Sequence, residues 1–190
     1  MRVLPCEDAT IDAAATVLNV GGVAVIPTDT VYGLAAHPGF PDAVERLYSI
    51  KGRERRKKIA LLAADAAAVE AFGYPLPSAA KKLAAKHWPG ALTLVLGEEG
   101  FRVPDHVWTR RLLAACGGVL RVTSANLSGG QPATDAPQAL AEVGLSADLV
   151  VDDGPSSGGV PSTVVRVCEG GEIEILRPGA ILLPIPPTNH

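Results

Sequence analysis

The sequence predicts an α/β fold, a single domain with a twisted mixed β-sheet flanked by helices. Helix-period and strand-like segments alternate along most of the 190 residues. Val23 to Ile26 is a short, wholly apolar run, the pattern of a central strand buried on both faces. Three strand-like runs then follow one another closely near the end, which makes the sheet mixed.

Taken in order, the first helix runs from Asp8 or Thr10 to Asn19. It has a polar cap, one face formed by Ile11, Ala14, Val17 and Leu18, and Gly21-Gly22 to stop it. After the Val23 to Ile26 strand, Pro41 opens a helix that continues to Ile50 and carries Val44, Leu47 and Tyr48 inward. Ile59 to Leu62 is a strand, and two Ala-rich helices occupy Asp65 to Phe72 and Ser78 to His87. Leu92 to Leu96 is a strand, Val107 to Cys116 a helix and Val119 to Val122 a strand. Asp135 to Val143 has helical character, and Leu149 to Val151, Thr163 to Val167 and Ile173 to Leu176 are the closing strands. The domain is expected over residues 1–182, with a Pro-rich extended tail over 183–190.

Composition narrows the function classes. Hydrophobic residues make up 47% and charged residues 19%, a folded and not a disordered balance. The aromatic content of 4% points to a core of small aliphatic side chains. A net charge of −3 argues against a generally basic nucleic-acid binder, though not against a local basic patch. Cys6, Cys116 and Cys168 lie far apart and are odd in number, without CxxC or Cys/His zinc spacing. They are expected to be buried or idle thiols in a reducing cytoplasm. No signal peptide and no membrane-length apolar run is found, so a cytoplasmic location is expected.

Two polar clusters beside strand ends carry the functional signal. The first is Pro27-Thr28-Asp29-Thr30-Val31-Tyr32-Gly33-Leu34, followed by Lys51-Gly52-Arg53 and Lys57. The second is Ser124-Ala125-Asn126-Leu127-Ser128-Gly129. Hydroxyls, an amide and fixed cations at such positions suit an anion. Each cluster reads equally well as an ordinary turn or strand cap, and the basic run 51–58 as a solvated face. Gly33 suits a tight turn or a close backbone approach.

Other chemistries lack their fingerprints. There is no GxxxxGK[ST], no GxGxxG opening a helix and no GxSxG elbow. His37, His87, His106 and His190 form no i, i+4 ligand pair, and Cys116 has no evident base partner. From residues alone, the reading ends at an anion or nucleotide pocket of unusual type.

Seven segments in order resemble the YrdC/Sua5 family of threonylcarbamoyl-AMP synthases. They are VIPTDTVYGLAA (25–36), Lys51-Gly52-Arg53 with Lys57, HWPGALTLVL (87–96), RVPDH (102–106), TSANLSG (123–129), PSTVVRV (161–167) and ILRPGAI (175–181). The resemblance implies a sheet that forms a deep, positively lined cavity. It implies an enzyme condensing L-threonine, bicarbonate and ATP into threonylcarbamoyl-adenylate with release of pyrophosphate, for the t6A modification of adenosine 37 in tRNAs reading ANN codons. Carried over by motif, Thr30, Ser124 and Ser162 would contact threonine, and Arg53, Lys57, Thr93, Asn126, Thr134 and Arg177 would contact ATP. Lys51 and Arg53 would be the catalytic cations, with Lys51 between carboxylate and phosphate. Mg²⁺ would enter with ATP and need no protein ligand. Alanine at Lys51 or Arg53 is expected to abolish pyrophosphate release and leave the fold intact.

The chain departs from the family pattern in three places. The stretch between Leu96 and Arg102 is short, Gly97 stands where a basic contact to threonine is common, and Lys58 replaces a small residue or Pro. The resemblance therefore also admits a YciO-like paralogue or an RNA-binding, ribosome-associated module without this activity. tRNA and the t6A transfer machinery are the further partners implied; a membrane is not.

Overall fold

The computed structural model describes residues 2–168 and 170–183. Its strands are β1 (Arg2–Pro5), β2 (Val23–Ile26), β3 (Gly33–Ala36), β4 (Leu61–Ala63), β5 (Leu92–Leu96), β6 (Glu99–Arg102), β7 (Val119–Ser124), β8 (Leu149–Asp152), β9 (Thr163–Val167) and β10 (Ile173–Arg177). Its helices are α1 (Ile11–Asn19), α2 (Pro41–Lys51), α3 (Ala66–Ala71), α4 (Ser78–His87), α5 (Val107–Ala115) and α6 (Ala136–Glu142), with short 3₁₀ turns at Asp8–Thr10 and Gly144–Ser146. The strands form one mixed sheet in the order β1-β8-β2-β3-β7-β4-β6-β5-β9-β10. The expected tail at 183–190 lies outside the described residues except for Leu183. Among the described residues, no helix is long and apolar enough to cross a membrane.

The apolar run of β2 is buried on both faces, and its side chains divide by the two-residue period of a strand. Ala24 and Ile26 pack with Leu18, Leu112 and Leu113 under α1 and α5. Val23 and Val25 pack with Leu47 and Ala139 under α2 and α6 on the other face. A third core joins α3 and α4 to the far half of the sheet through Val69, Ala80, Leu94, Phe101 and Val165.

The sheet contains three strands that the sequence did not signal. At the edge, β1 is largely exposed and pairs with β8 through Arg2↔Leu149 to Pro5↔Asp152. Four small residues, GLAA, make up β3, which is wedged between β2 and β7 with Gly33 paired to Ile26 and Ser124. Gly33 is therefore a strand residue and not a turn. A β-carbon there would lie 2.5 Å from a Val122 methyl. Gly33→Ala is expected to cost about 1–3 kcal/mol, because Val122 is stiff at χ1 and must be displaced to admit the added carbon. Thermal unfolding of the variant measures this, and an unchanged midpoint would contradict it.

The third unsignalled strand is β6. The short stretch after Leu96 forms a tight hairpin, with Leu96 paired to Glu99 and Gly97 in the left-handed region at φ 59°. The segment has thus become a two-residue turn, and the sheet continues through it.

Candidate active site

Strands β2, β3 and β7 align so that Ile26, Gly33 and Ser124 share one end of the sheet. In the other half, β5 and β9 run parallel from Leu92↔Thr163, and β10 returns antiparallel to bring Arg177 beside Val164. The loops at these ends wall a cavity of about 860 Å³. Both polar clusters line it, as do Thr93, Ser162 and Arg177.

The cavity is strongly cationic. Among the described residues, eight basic ones (Lys51, Arg53, Arg56, Lys57, Lys58, Arg102, Arg166 and Arg177) line it against one carboxylate, Glu98, which is paired with Lys58 at 2.6 Å. Five of the six basic residues in 51–58 thus face it. Arg55 instead turns away to Glu45. Arg53 donates to the carbonyls of Lys57 (2.7 Å) and Lys58 (3.1 Å), so it shapes the basic loop while lining the cavity.

Lys51 is 2% exposed, and its ammonium donates to the carbonyls of Ser124 and Asn126. This joins the end of α2 to the second polar cluster, and Ser128 N closes the link by donating to the Lys51 carbonyl at 2.9 Å. Two of its three N–H donors are used in this way, and the third remains for a ligand. Burial, reinforced by the charge of Arg53, pushes the Lys51 pKa down to about 8. Arg177 is lowered by burial and then by Arg53, and Arg102 by burial, with Arg177 adding to the effect against the opposing pull of Asp29. These cations repel one another across a shared space, and an anion placed there would relieve all of them.

A hydroxyl wall stands opposite. Thr30 Oγ1 accepts from Arg102 at 2.8 Å and lies 3.1 Å from Thr28 Oγ1. Arg102, itself 6% exposed, also pairs with Asp29 and donates to the Gly90 carbonyl at 2.9 Å. The segment after β8 is laid across the same turn. Gly159 N (2.8 Å) and Ser156 Oγ (3.1 Å) both donate to the Thr30 carbonyl. Thr93 Oγ1 and Ser162 Oγ are 2.8 Å apart, and Arg177 donates to the Ser162 carbonyl at 2.7 Å. Asn126 donates to the carbonyls of Leu127 (2.7 Å) and Gly130 (3.0 Å), while its buried Oδ1 has no partner among the described residues. That orphaned acceptor awaits a donor from a ligand.

Of the residues the sequence singled out, Thr30, Lys51, Arg53, Lys57, Thr93, Ser124, Asn126, Ser162 and Arg177 meet around this one space. Thr134 does not line it. Its hydroxyl and N–H bond Gln138 Oε1 (3.2 and 3.0 Å), and its carbonyl accepts from Ser156 N (2.7 Å). The cap of α6 at Asp135 draws it to that helix start. Sequence reasoning gave Arg102 and Asp29 no separate role, and their 73-residue separation hides the pairing. The only available signal was a lone Arg at a strand end, within RVPDH.

Cys6 and Cys116 are poor nucleophiles, since burial pushes their thiol pKa values up to about 12 and about 11.

Residues 16–179 match the Sua5/YciO/YrdC family model, whose description is "Telomere recombination". The chain is 35% identical to the threonylcarbamoyl-AMP synthase of Bacillus subtilis, over 94% of this chain and 56% of that protein. It is also 35% identical to a putative threonylcarbamoyl-AMP synthase of Mycobacterium tuberculosis, over 89% and 83% of the two chains. It thus spans little more than half of the Bacillus relative but most of the mycobacterial one. Among solved structures, Pyrococcus abyssi Sua5 complexed with L-threonine superposes with a TM-score of 0.86 at 28% identity, over 94% of this chain and 58% of that one. Escherichia coli YciO gives 0.81 at 23% identity over 94% of each chain, a likeness of fold alone.

Proposed function

We propose that this chain, which belongs to the Sua5/YciO/YrdC family, condenses L-threonine, bicarbonate and ATP into threonylcarbamoyl-adenylate and releases pyrophosphate. The observation that carries this reading is the cavity itself: Lys51, Arg102 and Arg177, each lowered chiefly by burial, are gathered with Arg53 around one space that faces a wall of buried hydroxyls. The cations suit a triphosphate, and the hydroxyl wall suits a small polar amino acid.

In this reading the threonine amine combines with bicarbonate to give a carbamate and water. A carbamate oxygen then attacks the α-phosphorus. The new O–P bond forms in line as the bond to the β-phosphate oxygen breaks, and pyrophosphate leaves. No protein nucleophile is needed, because the reacting oxygen belongs to the substrate. The chain's part is to align the two reactants and neutralise the developing charge through Lys51, Arg53 and Lys57. Mg²⁺ fits as a passenger on the triphosphate, since Glu98 is paired with Lys58 and Asp29 with Arg102. The product would serve the t6A modification of tRNA in the cytoplasm.

Incubating the chain with Mg²⁺·ATP, bicarbonate and L-threonine is expected to release pyrophosphate only when all are present, and Arg53→Ala is expected to abolish the release. Turnover with another amine in place of threonine would indicate a YciO-like paralogue of different specificity. RNA binding without turnover would overturn the proposal.

A further inference from the structure

Far apart in sequence, Cys6, His106 and Asp153 meet on the side of the sheet where β1 and β8 end and α5 begins. One ligand atom from each (the Cys6 sulfur, a ring nitrogen of His106 and a carboxylate oxygen of Asp153) lies within 4.8 Å of the other two. None of the three lines the cationic cavity. We propose that these three side chains form a binding site for one Zn²⁺-class divalent ion, with solvent completing a tetrahedral shell.

The donor set is thiolate, imidazole and carboxylate, the combination such ions take. Zinc bonds of about 2.0–2.3 Å in a tetrahedron place ligand atoms about 3.3–3.8 Å apart, so small side-chain rotations close the present spacing. A proton relay is a poorer account of the same residues. It would need Cys and Asp on opposite ring nitrogens, yet His106 Nε2 faces Asp153 Oδ2 at 2.9 Å while Nδ1 is turned to Thr109. The Cys6 sulfur also lies within 4.8 Å of the Asp153 carboxylate, on the same side of it as the ring.

The scaffold holds all three ligands in place before any ion arrives. Cys6 N donates to the Asp152 carbonyl at 2.8 Å, and Trp108 Nε1 donates to the Glu7 carbonyl at 2.9 Å. Asp153 N donates to the Tyr32 hydroxyl at 2.9 Å, and that hydroxyl donates to the Gly154 carbonyl at 2.6 Å. His106 has a partner for either tautomer. Nδ1 can accept from Thr109 N at 3.2 Å, or carry the proton and donate to Thr109 Oγ1 at 3.0 Å. The hydroxyl is able to accept because its own hydrogen goes to the Pro27 carbonyl at 2.7 Å. The second tautomer leaves the Nε2 lone pair free for a metal, the outer support that metal-bound histidines use. Asp8 adds negative charge near Cys6, and Asp152 near the Tyr32 hydroxyl that holds Asp153 N, while Arg111 pairs with Asp8 at 2.6 Å. The local field therefore favours a cation.

The test loads the metal-free full chain with Zn²⁺, then with Co²⁺. One ion per chain is expected, with a thiolate-to-Co²⁺ charge-transfer band and a raised thermal midpoint in Zn²⁺. Cys6→Ala and Asp153→Asn are each expected to weaken binding at least about tenfold and to remove the midpoint shift. Cys168→Ala is expected to change neither. His106 is left intact in the test because it caps α5. Failure to bind, a Co²⁺ spectrum without thiolate character, or undiminished binding by folded Cys6→Ala would each overturn the site. None of these outcomes bears on pyrophosphate release, so the proposed chemistry stands or falls separately.

Discussion

Lys51→Ala is expected to lower threonine-dependent pyrophosphate release by about 10²–10³-fold, the usual cost of removing one preorganised donor at a charge-developing site. The same change is expected to reduce stability, which corrects the expectation of an intact fold drawn from sequence. The ammonium donates to the carbonyls of both Ser124 and Asn126; its removal leaves the Ser124 carbonyl with Asn126 N at 2.9 Å but takes from the Asn126 carbonyl its donor among the described residues. A buried acceptor left unpaired costs about 1–3 kcal/mol, and each 1 kcal/mol is worth about 2–4 °C of midpoint in a chain of this size. Lys51→Met, which restores the bulk but not the charge, is expected to lose as much activity as alanine. Near-normal turnover by the methionine variant would show that Lys51 contributes shape alone.

A pH signature accompanies this role. The folded Lys51 pKa is depressed to about 8 from an ordinary 10.5. Between those values the unfolded chain holds a proton that the folded chain has released, so this group's contribution to stability rises with pH across the window. Turnover is expected to move the other way, because the charge that holds the anion fades above about 8. Opposite slopes for the thermal midpoint and for turnover in wild type, with both reduced in Lys51→Met, are the result that assigns the titration to this residue.

Lys51 also marks what the sequence could and could not reveal. Its place at the end of α2 was legible within one residue, because Pro41 opens the helix and Gly52 stops it in the left-handed region. The strands β2, β5 and β9 were legible to the residue, since their apolar runs must be buried whatever the topology. The strands β1, β3 and β6 were not. Small or exposed residues have little strand preference of their own and become strands only through their neighbours. The site followed the same division. Residues with an intrinsic signal, such as the basic loop and the Ser-Ala-Asn turn, were found from sequence. Those defined by a partner far along the chain (Lys51 to Ser124, Arg102 to Asp29) waited for the fold to join them.

Arg102 is where that distant pairing has its largest expected consequence. Arg102→Met is expected to destabilise the chain by about 3–5 kcal/mol, because it strands the Asp29 carboxylate, whose side chain is only 12% exposed. Burial, with a smaller push from Arg177, lowers the pKa of the guanidinium, and Asp29 supplies the opposing pull, so the two charges are mutually dependent. A double variant, Asp29→Asn with Arg102→Met, removes both charges together and is expected to be more stable than Arg102→Met alone. The departure from additivity measures the coupling. Function should separate from stability in the same pair. Arg102 NH1 donates to Thr30 Oγ1, and neither substituted side chain restores that bond. The double variant is therefore expected to regain stability while its KM for threonine stays raised. If threonine affinity returned with stability, Arg102 would serve only to neutralise Asp29, and the hydroxyl wall would owe its geometry to the Ser156 and Gly159 contacts instead.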